Sequence, residues 1–162
     1  NTSHRHIWPG MASDKVMQDR QPFEILRQIS VTRERGAFMP PGHIHWNVSS
    51  LMKNKGTLAD LVDKRAYTQL TLPPSASWLG DSKPPQPQMS VEKGKASWKL
   101  ADERMESYVK WWFVQTFEDK TWVSRKVQPL EMKSFTLSKD IKAIAVRAIG
   151  LTGMAGDAVI GK

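Results

Sequence analysis

The chain reads as an α/β half followed by an all-β half. Before Leu72, short strand-like runs alternate with helical stripes. After Gln88 the apolar period becomes two. Between these halves lie five of the ten prolines: Pro73, Pro74, Pro84, Pro85 and Pro87.

The first half follows the order β-α-β-α. "RHIW" (residues 5–8) is a short apolar strand ending at Pro9-Gly10. "QPFEILRQISVTRER" opens a helix with Pro22 at its first position, where a missing N–H costs nothing. Phe23, Leu26 and Ile29 are its expected buried face. "HIHWNVS" (43–49) is the second strand. In "TLADLVDKRAY", Thr57 and Asp60 have the spacing of an approximate capping box, with Leu58, Leu61 and Val62 as the buried stripe. This order favours parallel strands joined by right-handed crossovers.

Proline removes amide donors and disfavours helix at the preceding residue, so residues 81–87 are expected to be a stiff linker. It would separate a domain at 1–80 from one at 88–162, and limited proteolysis between Gly80 and Gln88 would leave a folded C-terminal piece. In that piece "QMSVEKG", "KASWKL", "YVKWWFVQTFE", "KTWVSRKVQ", "SFTLS", "KAIAVRAIG" and "DAVIGK" are strand-like, punctuated by Gly94 and Asp119-Lys120. Seven short strands point to an antiparallel β-sandwich of immunoglobulin type. Trp111 and Trp112 must face opposite sides of their sheet, one in the core and one exposed or covered by a neighbouring domain. Trp122 can pair with the outward one. "GLTGMAG" (150–156) is a hairpin loop, because no helix pattern follows it.

Composition narrows the chemistry. Hydrophobic residues make up 40% of the 162, enough for a packed core, and no run reaches the length of a membrane span. Without cysteine there are no disulfides, thiolate zinc sites or cysteine nucleophiles. The net charge of +8 is spread over the chain, as at Lys15, Arg20, Lys53, Lys95 and Lys126, so a nucleic-acid partner is not expected. The chain opens on "NTSHRH", without a start methionine or an apolar leader, and is expected to be cut from a longer protein.

Two parallel β/α units would leave apolar strand faces uncovered, so they make better sense as the end of something larger. "RHIWPGM", "PFEILRQISVTRER", "GHIHWNVSSLMKNKGTLADLV" and "YTQLTLPPSASWL" resemble, in order, the closing part of the glycoside-hydrolase-like family 10 proteins of bacteria. The resemblance covers roughly residues 4–79. It implies the last two β/α units of a (β/α)8-type barrel, followed by a seven-stranded fibronectin III-like sandwich. Trp98 and "AIAVRAIGLTGMAGDAVI" are placed as in such modules, with Ile144 near the position of an expected tyrosine. It further implies an exported protein that hydrolyses a polysaccharide or oligosaccharide and needs the rest of the parent barrel as its partner.

The four histidines form two His-x-His pairs, His4/His6 and His43/His45. On barrel strands, residues at the carboxyl ends line the active site. Trp8, Met11, His45, Trp46 and Asn47 are accordingly expected to face or rim a substrate pocket. Metal binding and plain barrel packing are the other readings of the histidines; a metal would need convergence plus an acid such as Asp14. No metal or other cofactor is expected. Most glycosidases use two carboxylates, and neither strand ends in one. Asp14, in the loop after the first strand, is the candidate catalytic acid, and the working pair is expected upstream. Two rival readings are a non-catalytic carbohydrate- or protein-binding module and a basic nucleic-acid-binding protein.

Overall fold

The computed structural model describes residues 5–34, 42–80 and 82–162. It is a mixed helix-and-sheet chain that divides into two units, Asn1–Thr68 and Gln69–Lys162.

In the first unit, β1 (Gly10–Ala12) and β2 (Ile44–Trp46) pair in parallel, with Met11 opposite His45. Helix α1 (Pro22–Glu34) connects them, and α2 (Val48–Met52) and α3 (Leu58–Arg65) follow. The expected order is present, but three details move. The first strand lies at Gly10–Ala12, beyond "RHIW". The ladder starts where the Pro9 carbonyl accepts the Ile44 N–H (3.0 Å), and this register buries Met11 while Ile7 and Trp8 stay exposed. "HIHWNVS" is strand only to Trp46. Asn47 is extended, its peptide bond with Trp46 is cis, and Val48 already begins a helix.

Helix α1 does start at Pro22, but Phe23 is exposed; Ile25 and Ile29, four residues apart, are the buried pair, with Leu26 packed beside them. Apolar residues at 23, 25, 26 and 29 allow two stripes, and packing against Met11, Val16, Leu58 and Val62 selects the second.

The cap of α3 is Asn54, not Thr57. Thr57 has φ +63° and turns its hydroxyl to the Gly56 carbonyl (2.6 Å). Asn54 Oδ1 accepts the Ala59 N–H (2.9 Å), and Asn54 Nδ2 donates to Asp60 Oδ2 (2.9 Å). Leu58 and Val62 are buried as expected.

The second unit contains the seven anticipated strands: β3 (Gln88–Glu92), β4 (Lys95–Lys99), β5 (Val109–Glu118), β6 (Thr121–Pro129), β7 (Ser134–Thr136), β8 (Ala143–Gly150) and β9 (Val159–Gly161). They form antiparallel sheets in the orders β3-β4-β7 and β6-β5-β8-β9. Both sheets feed one core. Ala96 and Trp98 come from the first; Trp112, Val114, Ile144, Val146 and Ala148 come from the second. Lys93-Gly94 and Asp119-Lys120 close two-residue hairpins with positive φ at both positions, the twist such turns require.

Trp112 is fully buried and donates its indole N–H to the Leu130 carbonyl (2.9 Å). Trp111 faces the other way, under the Lys110 ammonium (4.4 Å to the ring centroid). Trp122 packs on Phe117 (5.4 Å between centroids) and not on Trp111, because the register sets Trp111 opposite Pro129. That register shifts between Val114 and Gln115, where β6 carries an extra residue, Arg125. The Arg125 guanidinium bonds Thr116 Oγ1 (2.9 Å) and pairs with Glu118, both on β5.

The proline-rich stretch is packed, not free. Pro84 and Pro87 are buried, Lys83 pairs with Asp157 (2.6 Å), and Gln86 donates to the Ala158 carbonyl (2.7 Å). Further upstream, the Ala76 N–H donates to the Thr152 carbonyl (2.8 Å). Proline rings are good apolar surface, and the division between units therefore falls at Thr68/Gln69, ahead of the expected 81–87 linker. The 150–156 segment is a loop between β8 and β9, closed by the Gly150 N–H to the Met154 carbonyl (2.8 Å).

Candidate functional site

The parallel register decides which way each candidate points. Residues opposite each other across a ladder share a face, and neighbours along a strand alternate. Met11 is buried with Ile25, Ile29, Leu58 and Val62, so its partner His45 shares the helix-covered face, and so does His43. Gly10, Ala12, Ile44 and Trp46 take the opposite face. There Ile44 is 51% and Trp46 68% exposed, which makes this the open face of the pair.

The helix-covered face holds a hydrogen-bonded cluster. Ser13, just after β1, meets His45 Nδ1 through Oγ (2.7 Å). His45 Nε2 meets the Tyr67 hydroxyl (2.8 Å), and His43 Nε2 meets the same oxygen. The His43 and Tyr67 rings stack (5.8 Å, 10°), while His45 meets Tyr67 edge-on (6.2 Å, 87°). From α1, the Arg33 guanidinium lies over the Tyr67 ring at 5.8 Å. Burial, then His45 and Arg33, pull the His43 pKa down from its usual value to about 4. Burial lowers that of His45 and raises that of Tyr67, the latter opposed in part by Arg33. Both imidazoles are therefore neutral at pH 7.

Serine, histidine and a third group orienting the histidine are the parts of an activated nucleophile. Here Ser13 is fully buried, so its oxygen cannot reach a substrate, and the cluster ties elements together instead. Tyr67 is the residue that sequence reasoning missed. The signal was available: two histidines on the buried side of a strand require a polar partner there.

The remaining candidates separate. Trp46 and Asn47 are exposed at the carboxyl end of β2. Trp8 is 43% exposed and stacks on His6 (6.0 Å, 19°). Met11 is core, only 2% exposed, and lies away from Trp46 on the helix-covered face. His45 belongs to the Tyr67 cluster and does not face the open side with Trp46. Asp14 sits in a 3-10 turn, Ser13–Lys15, with Oδ1 buried and without a hydrogen-bond partner. A cavity of about 570 Å³ runs along β1 and α1, lined by Ile7, Met11, Val31, Arg20 and Arg27 among others; His45, Trp46 and Asn47 do not line it.

His4 lies outside the described residues, and His6 joins Trp8 instead of His43 or His45. Among the described residues no three His, Asp or Glu side chains gather as metal ligands. Arg33 beside Tyr67 further disfavours a cation. The purified chain is expected to bind no stoichiometric zinc; metal analysis showing a full equivalent, lost on His43→Ala, would contradict this.

No protein-family model matches the chain, and no curated protein matches its sequence. No helix among the described residues is long and apolar enough to cross a membrane.

Proposed function

We propose that this chain is the carboxyl-terminal part of a glycoside-hydrolase-like protein, with the last two β/α units of a (β/α)8-type barrel and a fibronectin III-like accessory domain. The observation that carries the reading is the one-sided first unit. Its two parallel strands are covered by helices on one face and expose Ile44 and Trp46 on the other. In a closed barrel the uncovered face is the interior and the strand carboxyl ends form the pocket rim. Trp46 would then offer its flat ring to a sugar, with Asn47 hydrogen-bonding its hydroxyls and Trp8 completing the wall.

Chemistry would come from carboxylates on upstream strands. Asp14 Oδ1 is buried without a hydrogen-bond partner, and a glycosidase needs a pair of carboxylates, not one. The chain by itself is expected to show no turnover on any polysaccharide. Hydrolysis that disappears in Asp14→Asn would place the chemistry here and overturn the division of labour. In the parent protein, Trp46→Ala should weaken oligosaccharide binding about tenfold, the order of one lost aromatic contact; unchanged affinity would remove Trp46 from the pocket. Export of the parent is part of the same proposal.

A binding-module reading has its own support in the second unit, where Trp111, Phe117 and Trp122 stay half-buried on the outer face of a sheet. Glycan binding that survives Trp46→Ala but not Trp122→Ala would favour it.

A further inference from the structure

Tyr67 stands at the end of the first unit, one residue before Thr68, after which the chain passes into the second. Its amide donates to the Val62 carbonyl (2.9 Å), and its hydroxyl is held by two imidazoles. The path Ser13–His45–Tyr67–His43 contains three hydrogen bonds and so needs three protons. Two neutral imidazoles, a hydroxyl and a phenol supply them in either direction. In one, His43 Nε2 donates to Tyr67, Tyr67 to His45 Nε2, and His45 Nδ1 to Ser13. In the other, every donor and acceptor is exchanged.

One added proton leaves all three bonds intact. A protonated His45 donates from both nitrogens, and Tyr67 gives its own hydrogen to a neutral His43. A second added proton cannot be absorbed. Both imidazolium rings would then donate to one phenol oxygen, and the phenol hydrogen would lose its acceptor. Three cations would crowd one ring, since Arg33 is already there. The groups facing the two histidines are Arg33 from α1, Tyr67 after α3, Ser13 after β1 and the other histidine on β2. Among the described residues no carboxylate pairs with either imidazole.

We propose that this cluster is a proton-operated latch on the chain's exit from the first unit. Neutral or singly protonated, it clasps the Tyr67 ring and fixes the last residues before Thr68. Doubly protonated, it releases Tyr67 and lengthens the free connector into the second unit. The depressed histidine pKa values give the sign. The folded state resists protons that the unfolded chain takes up near the ordinary pKa of 6.5. The cluster's contribution is thus complete above that pH and is lost as pH falls toward about 4. This device does not depend on the glycosidase reading.

The chain has two tyrosines, Tyr67 and Tyr108, so 3-fluorotyrosine labelling gives two ¹⁹F lines. On acidification from pH 7 the Tyr67 line is expected to move toward the position of free fluorotyrosine, while the Tyr108 line stays. In the His43→Gln/His45→Gln double variant the Tyr67 line should hold still over the same range. In unlabelled Tyr67→Phe, the histidine midpoints should rise toward 6.5. A stationary Tyr67 line, a titration that persists in the double variant, Tyr108 moving in step, or histidine midpoints indifferent to Tyr67→Phe would each overturn the latch.

Discussion

Trp112→Ala should destabilise the second unit by about 3–5 kcal/mol, the cost of removing a large aromatic ring from a core. Trp112 is fully buried between the sheets, beside Trp98 (6.3 Å between ring centroids, 71°), and its indole N–H bonds the Leu130 carbonyl. Truncation leaves a cavity and deprives that carbonyl of its donor. The matched control is Trp111→Ala, on the opposite face of the same strand, which should cost far less. Chemical denaturation of both variants, read by intrinsic fluorescence, checks this. Equal losses would mean that the outer face is as tightly packed as the core.

The second large effect concerns where the second unit begins. A fragment starting at Gln69 is expected to be more stable than one starting at Gln88, by on the order of 3 kcal/mol from lost hydrogen bonds and apolar contact. The shorter fragment loses the buried Pro84 and Pro87, the Lys83–Asp157 pair and the Gln86 bond to Ala158. It also exposes Gly150 and Gly156, which lie against Pro84 so closely that a Cβ on Gly156 would meet the Pro84 carbonyl oxygen at 2.6 Å. Limited proteolysis should accordingly cut the exposed run 67–71 before the 82–87 stretch. Preferred cleavage within 82–87, leaving a fragment as stable as the longer one, would restore the linker.

The all-β half was legible because its signals are local. Alternation marks each strand of an antiparallel sheet with one buried face, and two-residue turns such as Asp119-Lys120 separate them. Which strands shared a sheet was not legible, because β4 pairs with β7 across an intervening hairpin. In the first half, parallel pairing and the helix at Pro22 were readable. The strands themselves were short, and a three-residue ladder carries little pattern. Pro9-Gly10 looked like a turn, yet Gly10 is the first residue of β1.

The same shortness misled the reading of the histidines. Their shared face followed from spacing of two, but which face depended on Met11 lying opposite His45, a fact of register alone. Tyr67 was hidden for another reason. It comes 22 residues after His45, past two helices, and only the fold brings them within hydrogen-bonding distance. Proline content misled at 81–87 because rings that forbid helix are also apolar enough to pack.

The extra residue at Arg125 has a consequence for assembly. β6 is an outer strand of its sheet, with one side unpaired within the sheet. A flat, regular strand in that position is a template on which another chain can grow. The bulge breaks the repeat of free amides and carbonyls, and exposed Arg125 and Lys126 place charge along the break. Arg125 also grips Thr116 and Glu118, so a slipped hairpin would lose the grip along with the register. One inserted residue thus serves both as a registration mark for folding and as a guard against fibre-like growth along that side.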